Sequence, residues 1–262
     1  MVSNGNINQF VFPSLPKKKT IATLQNLRKQ SRSMRHTRPS PRCHAEQTFP
    51  QKQRTISIQK TIKTKPTDML DNLKKYDVVL ASNSPRRKEL LQRLGIPFKV
   101  RNLFGVDESY PSTMTDGEEI ASFIAKKKAE AYRSSMSPSE LIIAADTTVY
   151  FNGEVLGKPA NAQDAENMLH KLSGNTHQVI TGVAILTAEK VDSFAVMTNV
   201  KFAKLTDEEI HYYVSNYLPF DKAGSYGIQE WIGLIAVEQL EGSFFNVMGL
   251  PVQRLYNHLK DF

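Results

Sequence analysis

The sequence has a single cysteine, Cys43, in 262 residues. That excludes a disulfide framework and a cysteine-based zinc site, and it fits a reducing compartment. No apolar run approaches the roughly 18 residues that a membrane-crossing helix needs, so none is expected. The N-terminus lacks the apolar stretch of a secretory signal. Acidic residues are almost missing from positions 1–66, which carry 14 Lys or Arg against Glu46 alone, a net charge of +13. The rest holds 20 basic and 25 acidic residues, a net of −5. The overall charge of +8 therefore does not mark the folded part as a nucleic-acid binder.

Positions 1–66 also lack apolar periodicity and are rich in Lys, Arg, Ser, Thr, Gln and Pro. Such a segment cannot bury enough surface to offset its ordering entropy. We read 1–68 as a disordered basic extension that is no part of the working protein, with Met69 as its start and 69–262 as the domain. An organelle transit peptide and a nucleic-acid-binding arm are the alternatives. The cytoplasm is the expected location, with organelle import through 1–68 as the other reading.

From position 77 the pattern alternates between strands and helices, with no internal repeat. Asp77-Val78-Val79-Leu80-Ala81 reads as a buried strand. Ser84-Pro85 starts a helix, as N-cap and first residue, that runs to Leu94 and stops at Gly95. A strand is expected at 97–102, then a helix at 117–133 with Ile120, Phe123, Ile124 and Ala131 on one face. Leu141–Ala145 is a buried strand that ends at Asp146. Asn152-Gly153 turns a hairpin between 148–151 and 154–156. A helix at 161–172, strands at 178–187 and 191–203, and a helix from Thr206 follow. Strands near 234–239 and 244–247 and a helix at 251–260 complete an α/β domain with long central strands.

Several segments carry chemistry. Ser82, Ser84, Arg86 and Arg87 lie where a buried strand turns into a helix. Arginines there oppose the helix dipole unless an anion sits among them and takes the free N–H groups, the hydroxyls and the guanidinium bonds. Asp146 closes an apolar strand, a place where α/β sheets bind ligands. Lys158, held between Gly157 and Pro159, can reach a phosphate as a point charge. Of Lys126-Lys127-Lys128 only one faces inward, and Lys128, four residues after Ile124, shares the apolar face. Asp107-Glu108 suits a metal or a water. The Gly-rich segments around Gln229 and Asn246 suit a base pocket. Together these are the parts for phosphate chemistry with a divalent metal.

Ser82-x-Ser84-Pro85-Arg86-Arg87-x-Glu89-Leu90-Leu91, Ala145-Asp146-Thr147, Gly153-x-x-Leu156-Gly157-Lys158-Pro159, Ser173-Gly174-x-Thr176-His177, Asp221-Lys222-Ala223-Gly224-x-Tyr226-Gly227-Ile228-Gln229 and Gly242-Ser243-x-x-Asn246-Val247-x-Gly249-Leu250-Pro251 resemble the Maf family, in order and from about 77 to 260. Asn246-Val247-Met248 departs from many members, which have a smaller residue before the glycine. The resemblance implies a two-lobed α/β fold similar to inosine triphosphate pyrophosphatases, with an elongated mixed central sheet, flanking helices and a cleft. It implies metal-dependent cleavage of nucleoside triphosphates and is closest to the dTTP/UTP pyrophosphatase branch. There Asp146 matches the proton acceptor, and Arg86, Thr147 and Gln229 match residues tied to base choice. Mg²⁺ or Mn²⁺ would be held by Asp146 and Glu108, with Arg87, Lys128 and Lys158 balancing charge on the departing pyrophosphate. A nucleotide, canonical or modified, is the expected partner, with roles in nucleotide pool sanitation or division arrest. No membrane is expected, nucleic acid is disfavoured, and a homodimer stays open. The rival readings are a 7-methyl-GTP pyrophosphatase and a non-enzymatic septation or nucleic-acid-binding factor.

Overall fold

The computed structural model describes residues 66–103 and 105–262. The expected disordered extension lies outside the described residues except at its end, where a 3-10 segment spans Pro66–Lys75 and includes 66–68. Leu70 and Leu73 from that segment are buried in the main core, and the Asn72 side chain donates to Leu259 O at 2.7 Å.

Among the described residues one seven-stranded mixed sheet organises the fold. β1 (Asp77–Leu80) lies parallel to both β2 (Lys99–Val100) and the start of β3 (Glu140–Phe151). From there the sheet is antiparallel: β3 pairs with β5 (Thr176–Leu186), β5 with β6 (Val191–Phe202), and β6 with β7 (Val237–Glu241). A short β4 (Glu154–Leu156) folds back on the end of β3 through Asn152-Gly153, both at positive φ. The strand expected at 97–102 shrinks to two residues. The strand expected at 244–247 is instead a single helical turn, α6 (Phe244–Met248), because Ser243 caps its start and Gly249 closes it. Such a turn is too short for periodicity to reveal.

Helix starts follow the local chemistry. Ser84 caps α1 (Pro85–Arg93), Asp116 caps α2 (Gly117–Glu130) and Asn161 caps α3 (Ala162–Leu172). Thr206 and Glu209 form a reciprocal capping box on α4 (Asp207–Tyr217). A short α5 (Trp231–Ala236) precedes β7, and α7 (Val252–Leu259) ends the chain.

Alternation along the strands splits the core in two. Leu141, Ile143, Val183 and Ile185 face a large core shared with Leu90, Leu91, Leu169, Tyr213, Leu255 and Leu259. Ile142, Ala144, Ala184 and Leu186 face a smaller one with Ala125, Ala129 and Tyr132 of the α2 region. Ala131, expected on the buried face of α2, is an exposed cap residue, and Ala129 and Tyr132 fill that side. Gly182 makes the close docking of α2 feasible, since a Cβ there would lie 2.0 Å from Ala121 O.

His177 sits in the large core, 1% exposed, with its ring edge-on to Phe202 and Tyr226. Nε2 is 2.8 Å from the Tyr226 hydroxyl, and Nδ1 has no partner among the described residues. Burial pushes its pKa down to about 4 from the usual 6.5. As pH falls from 6.5 the unfolded chain takes up a proton that the native state refuses, so stability drops until the native imidazole itself titrates. That is a loss of up to about 3 kcal/mol, complete near pH 4. Urea midpoints measured between pH 7 and 4 should show this slope, and His177→Gln should flatten it. Equal slopes in the two proteins would mean that the native imidazole takes up its proton as readily as an exposed one.

Candidate active site

A cleft of about 550 Å³ opens along the edge of β3. β1 ends its pairing at Ile143 and β4 begins at Val149, so residues 144–148 have no strand partner on that side. Asp146 thus lies mid-strand, not at the strand end expected from the apolar run. The gap explains its accessibility. Asp146 continues the face toward α2, Thr147 continues the opposite face, and the cleft wraps around the bare edge to meet both.

Ser82, Ser84, Arg86, Arg87, Glu108, Lys128, Asp146, Thr147, Lys158 and Gln229 line this cleft, whereas Asp107 lies outside it and Asn246 is buried behind it. Lys128 Nζ lies 2.6 Å from Asp146 Oδ1 and 2.8 Å from Glu108 Oε1. The two carboxylates therefore face a common point. Lys128 alone of the three lysines lines the cleft, as expected, and Lys127 is engaged on the exposed side beside it. Its ammonium bonds Asp107 Oδ2 at 2.6 Å and the carbonyl of Ser109 at 3.0 Å. Hydrogen bonds from Lys127 and from Ser109 hold the Asp107 carboxyl well below the usual carboxylate range. Neighbouring lysines of α2 thus pin the loop that brings Glu108 to the cleft.

The arginines are tied to protein acceptors. Arg86 Nη1 reaches Asp221 Oδ2 at 3.1 Å. Arg87 donates from Nε to Gly249 O at 2.8 Å, from Nη2 to Thr147 Oγ1 at 2.9 Å and from Nη1 to Ser82 Oγ at 3.4 Å. Burial lowers the Arg87 pKa from its ordinary value, against the pull of Asp146 and Glu108. Gly249, at φ 112°, ends α6 in a conformation that L side chains rarely adopt. Lys158 is exposed on the cleft wall and makes no ion pair among the described residues.

A further network lies at the mouth, beside Gln229, and of its members the sequence reasoning gave a role of its own only to Gln229. Lys222, 7% exposed, places Nζ 2.7 Å from Asp221 Oδ1 and 3.2 Å from Glu230 Oε1. Tyr213 OH donates to Glu230 Oε2 at 2.5 Å and accepts from Gly227 N at 3.0 Å. Gln229 Nε2 reaches Glu230 Oε1 at 3.3 Å. Burial works against ionisation of Asp221, but Lys222 and Arg86 outweigh it and hold its carboxyl below the ordinary range. Burial, reinforced by Glu230, pushes the Tyr213 phenol up. Asp221 and Lys222 stood inside a recognised motif; Tyr213 and Glu230 carried no sequence signal, since only folding brings them together.

No group of three metal-ligating side chains exists among the described residues. Two carboxylates facing one point do suit an ion such as Mg²⁺, which takes one or two protein carboxylates and fills its remaining positions with water and substrate phosphate.

The family described as Maf-like protein matches residues 77–262. The chain belongs to the Maf family. Similar relatives include a dTTP/UTP pyrophosphatase of Phocaeicola vulgatus, 61% identical over 192 residues that make up 73% of this chain and 99% of the relative. A dTTP/UTP pyrophosphatase of Parabacteroides distasonis is 59% identical over 194 residues, 74% of this chain and 100% of the relative. A third, from Bacteroides fragilis, is 58% identical over 192 residues, 73% of this chain and 99% of the relative. The aligned region is long enough to hold all of the cleft of this Maf protein.

The mouth network gives a stability test. Lys222→Met removes the cation between Asp221 and Glu230 and leaves Glu230 partly buried without its counter-ion. Since Glu230 retains some solvent contact, the loss in urea unfolding should be about 1–3 kcal/mol rather than the larger cost of a fully buried pair. Adding Glu230→Gln should recover part of it. A Lys222→Met protein as stable as wild type would show that the network contributes nothing to folding.

Proposed function

We propose that this protein is a nucleoside triphosphate pyrophosphatase, hydrolysing dTTP and UTP to the monophosphate and pyrophosphate. The observation that carries the reading is Asp146, held 2.6 Å from Lys128 in a cleft that gathers Arg86, Arg87 and Lys158 with the hydroxyls of Ser82 and Ser84. Carboxylates set among several cations and hydroxyl donors suit a polyanion attacked by water. The names of the relatives, dTTP/UTP pyrophosphatase, point the same way.

In this reading Asp146 orients a water and takes its proton as the oxygen attacks the α-phosphorus. The bond from that phosphorus to the oxygen bridging to the β-phosphorus breaks, and the electron pair leaves on pyrophosphate. Arg87, Lys158 and Lys128 balance the charge gathering there. A carboxylate is a weak base, and Mg²⁺ or Mn²⁺ held by Asp146 and Glu108 would supply the missing acidification of the water and neutralise phosphate charge. Lys128, shared between those carboxylates, is placed to move its charge toward the phosphates.

Gln229 is exposed on the cleft wall beside the mouth network. Its amide carries both a donor and an acceptor, which match the N3–H and a neighbouring carbonyl of uracil or thymine. Cytosine lacks that N3–H and turns one carbonyl into an amino donor, so the same contact is mismatched, at about 1–3 kcal/mol.

Pyrophosphate release from a panel of canonical and modified triphosphates tests the reading. dTTP and UTP should be cleaved well ahead of CTP and the purines, whereas a preference for 7-methyl-GTP, or no release at all, would sink it. Asp146→Asn keeps the size of the side chain and should abolish turnover while leaving the fold intact. Retention of more than about a tenth of wild-type kcat, a loss under ~1.4 kcal/mol, would remove Asp146 from the base role. Gln229→Ala should erode the UTP-over-CTP preference more than overall activity, and an equal loss on both would place base reading elsewhere.

A further inference from the structure

We propose that Glu230, the residue after Gln229, is a positioning residue that determines specificity: it fixes the orientation of the Gln229 amide, and that orientation lets the cleft tell uracil and thymine from cytosine. The inference rests on the reading above, in which dTTP and UTP are the substrates and Gln229 meets the base.

An amide side chain by itself does not choose between these bases. Uracil and thymine present an N3–H donor beside a carbonyl acceptor. Cytosine presents N3 as an acceptor beside an amino donor, the same pair in reverse. Turning a Gln amide over exchanges its oxygen with its NH2 group, so a freely turning Gln can pair with either base. Discrimination needs something that makes one of the two orientations costly. Glu230 supplies it. Gln229 Nε2 lies 3.3 Å from Glu230 Oε1. A carboxylate only accepts, so turning the amide over would set oxygen against oxygen. In the orientation present, one N–H is spent on Glu230, and the second N–H and Oε1 are left for the cleft.

The carboxylate is itself fixed, so it cannot follow the amide if the amide turns. Tyr213 OH donates to Oε2, and Lys222 Nζ lies 3.2 Å from Oε1. Tyr213 also accepts from Gly227 N at 3.0 Å, so the same phenol holds the segment that carries Gln229. The Glu230 side chain is 21% exposed and stands behind Gln229, which lines the cleft. Gly227 lets the two side chains lie together: a Cβ there would sit 2.7 Å from Gln229 Nε2 and 2.9 Å from the Glu230 carboxyl carbon. A base that covers Gln229 takes this contact out of water, where an acceptor facing an acceptor costs more.

Glu230→Gln keeps the length of the side chain but gives it a donor as well as an acceptor, so either orientation of Gln229 finds a partner. Kinetics with UTP and CTP should be paired with calorimetric binding of UMP and CMP. In Glu230→Gln the UTP:CTP ratio of kcat/KM and the UMP:CMP ratio of affinities should each fall about fivefold or more, through a gain on the cytosine nucleotide. In a Gln229→Ala background the same change should move neither ratio by more than about twofold, because no amide is left to hold. Wild-type ratios in Glu230→Gln would overturn the proposal, as would equal losses on both bases, which mark a residue that only supports the fold. An undiminished effect in the Gln229→Ala background would overturn it too, and so would a wild-type protein that binds UMP and CMP alike. If Glu230→Gln does not fold, Lys222→Met/Glu230→Gln removes both charges together and is held to the same outcomes. A wild-type protein that releases no pyrophosphate from UTP, yet binds UMP over CMP in a Glu230-dependent way, would overturn the assigned reaction and support the amide lock. Cleavage of UTP with ratios indifferent to Glu230 would keep the reaction and overturn the lock.

Discussion

The antiparallel pairing of β3 with β5 is the constraint on which the site depends. It sets Asp146 opposite Gly182 and Thr147 opposite Thr181. The missing side chain at Gly182 lets the backbone of α2 approach the sheet, and that approach brings Lys128 within 2.6 Å of Asp146. On the other face Thr181 joins Thr147 to the carbonyl of Asn246, and so ties Arg87 to α6. A slip of one residue would exchange the two faces, burying the carboxylate beside Arg87 and turning the threonine toward Lys128. Register is strongly specified here because both faces carry core: Ile142 and Ala144 on one, Leu141 and Ile143 on the other.

The electrostatics of the cleft are those of a site already paired with itself. Lys128 lies between Asp146 and Glu108, Arg86 rests on Asp221, and Lys222 lies between Asp221 and Glu230. Unpaired buried charge is costly, so a cleft built for a polyanion needs internal counter-ions while it waits. A triphosphate that enters offers the lysines and arginines new partners. Lys158, exposed and without an ion pair among the described residues, is the cation with nothing to give up. The Gly227–Gln229 segment is steadied from behind, where Tyr213 accepts from Gly227 N and Glu230 holds the Gln229 amide.

Much of this was legible in the chain itself. Start and turn residues announced α1, α4 and the β3–β4 hairpin, since Ser84, Thr206 and Asn152-Gly153 act through bonds to backbone only a few residues away. The apolar run Leu141–Ala145 announced the buried half of β3. The reading failed where the signal was short or ambiguous: β2 is two residues long, the strand expected near 234–239 begins only at Val237 after a helical turn, and the stretch at Phe244 is itself a helical turn. It also failed where partners are remote. The expected end of the strand at Asp146 was a sound reading of hydrophobicity, but the strand goes on because β5 keeps pairing with it through Tyr150.

The sequence by itself determined which residues could do chemistry, because residue type sets charge, basicity and donor count. Its motifs were enough to assemble the parts of a phosphate site from Ser82 through Gln229. Only the tertiary structure decided how those parts are shared: that Lys128 joins two carboxylates, that Arg87 spends three donors on the protein, and that Tyr213, Glu230 and Thr181 belong to the site at all. Each of these is a contact between residues that the chain separates and the fold brings together. No local pattern specifies the direction of a hydrogen bond or the partner of an ion; packing does, by fixing which groups are close enough to satisfy one another.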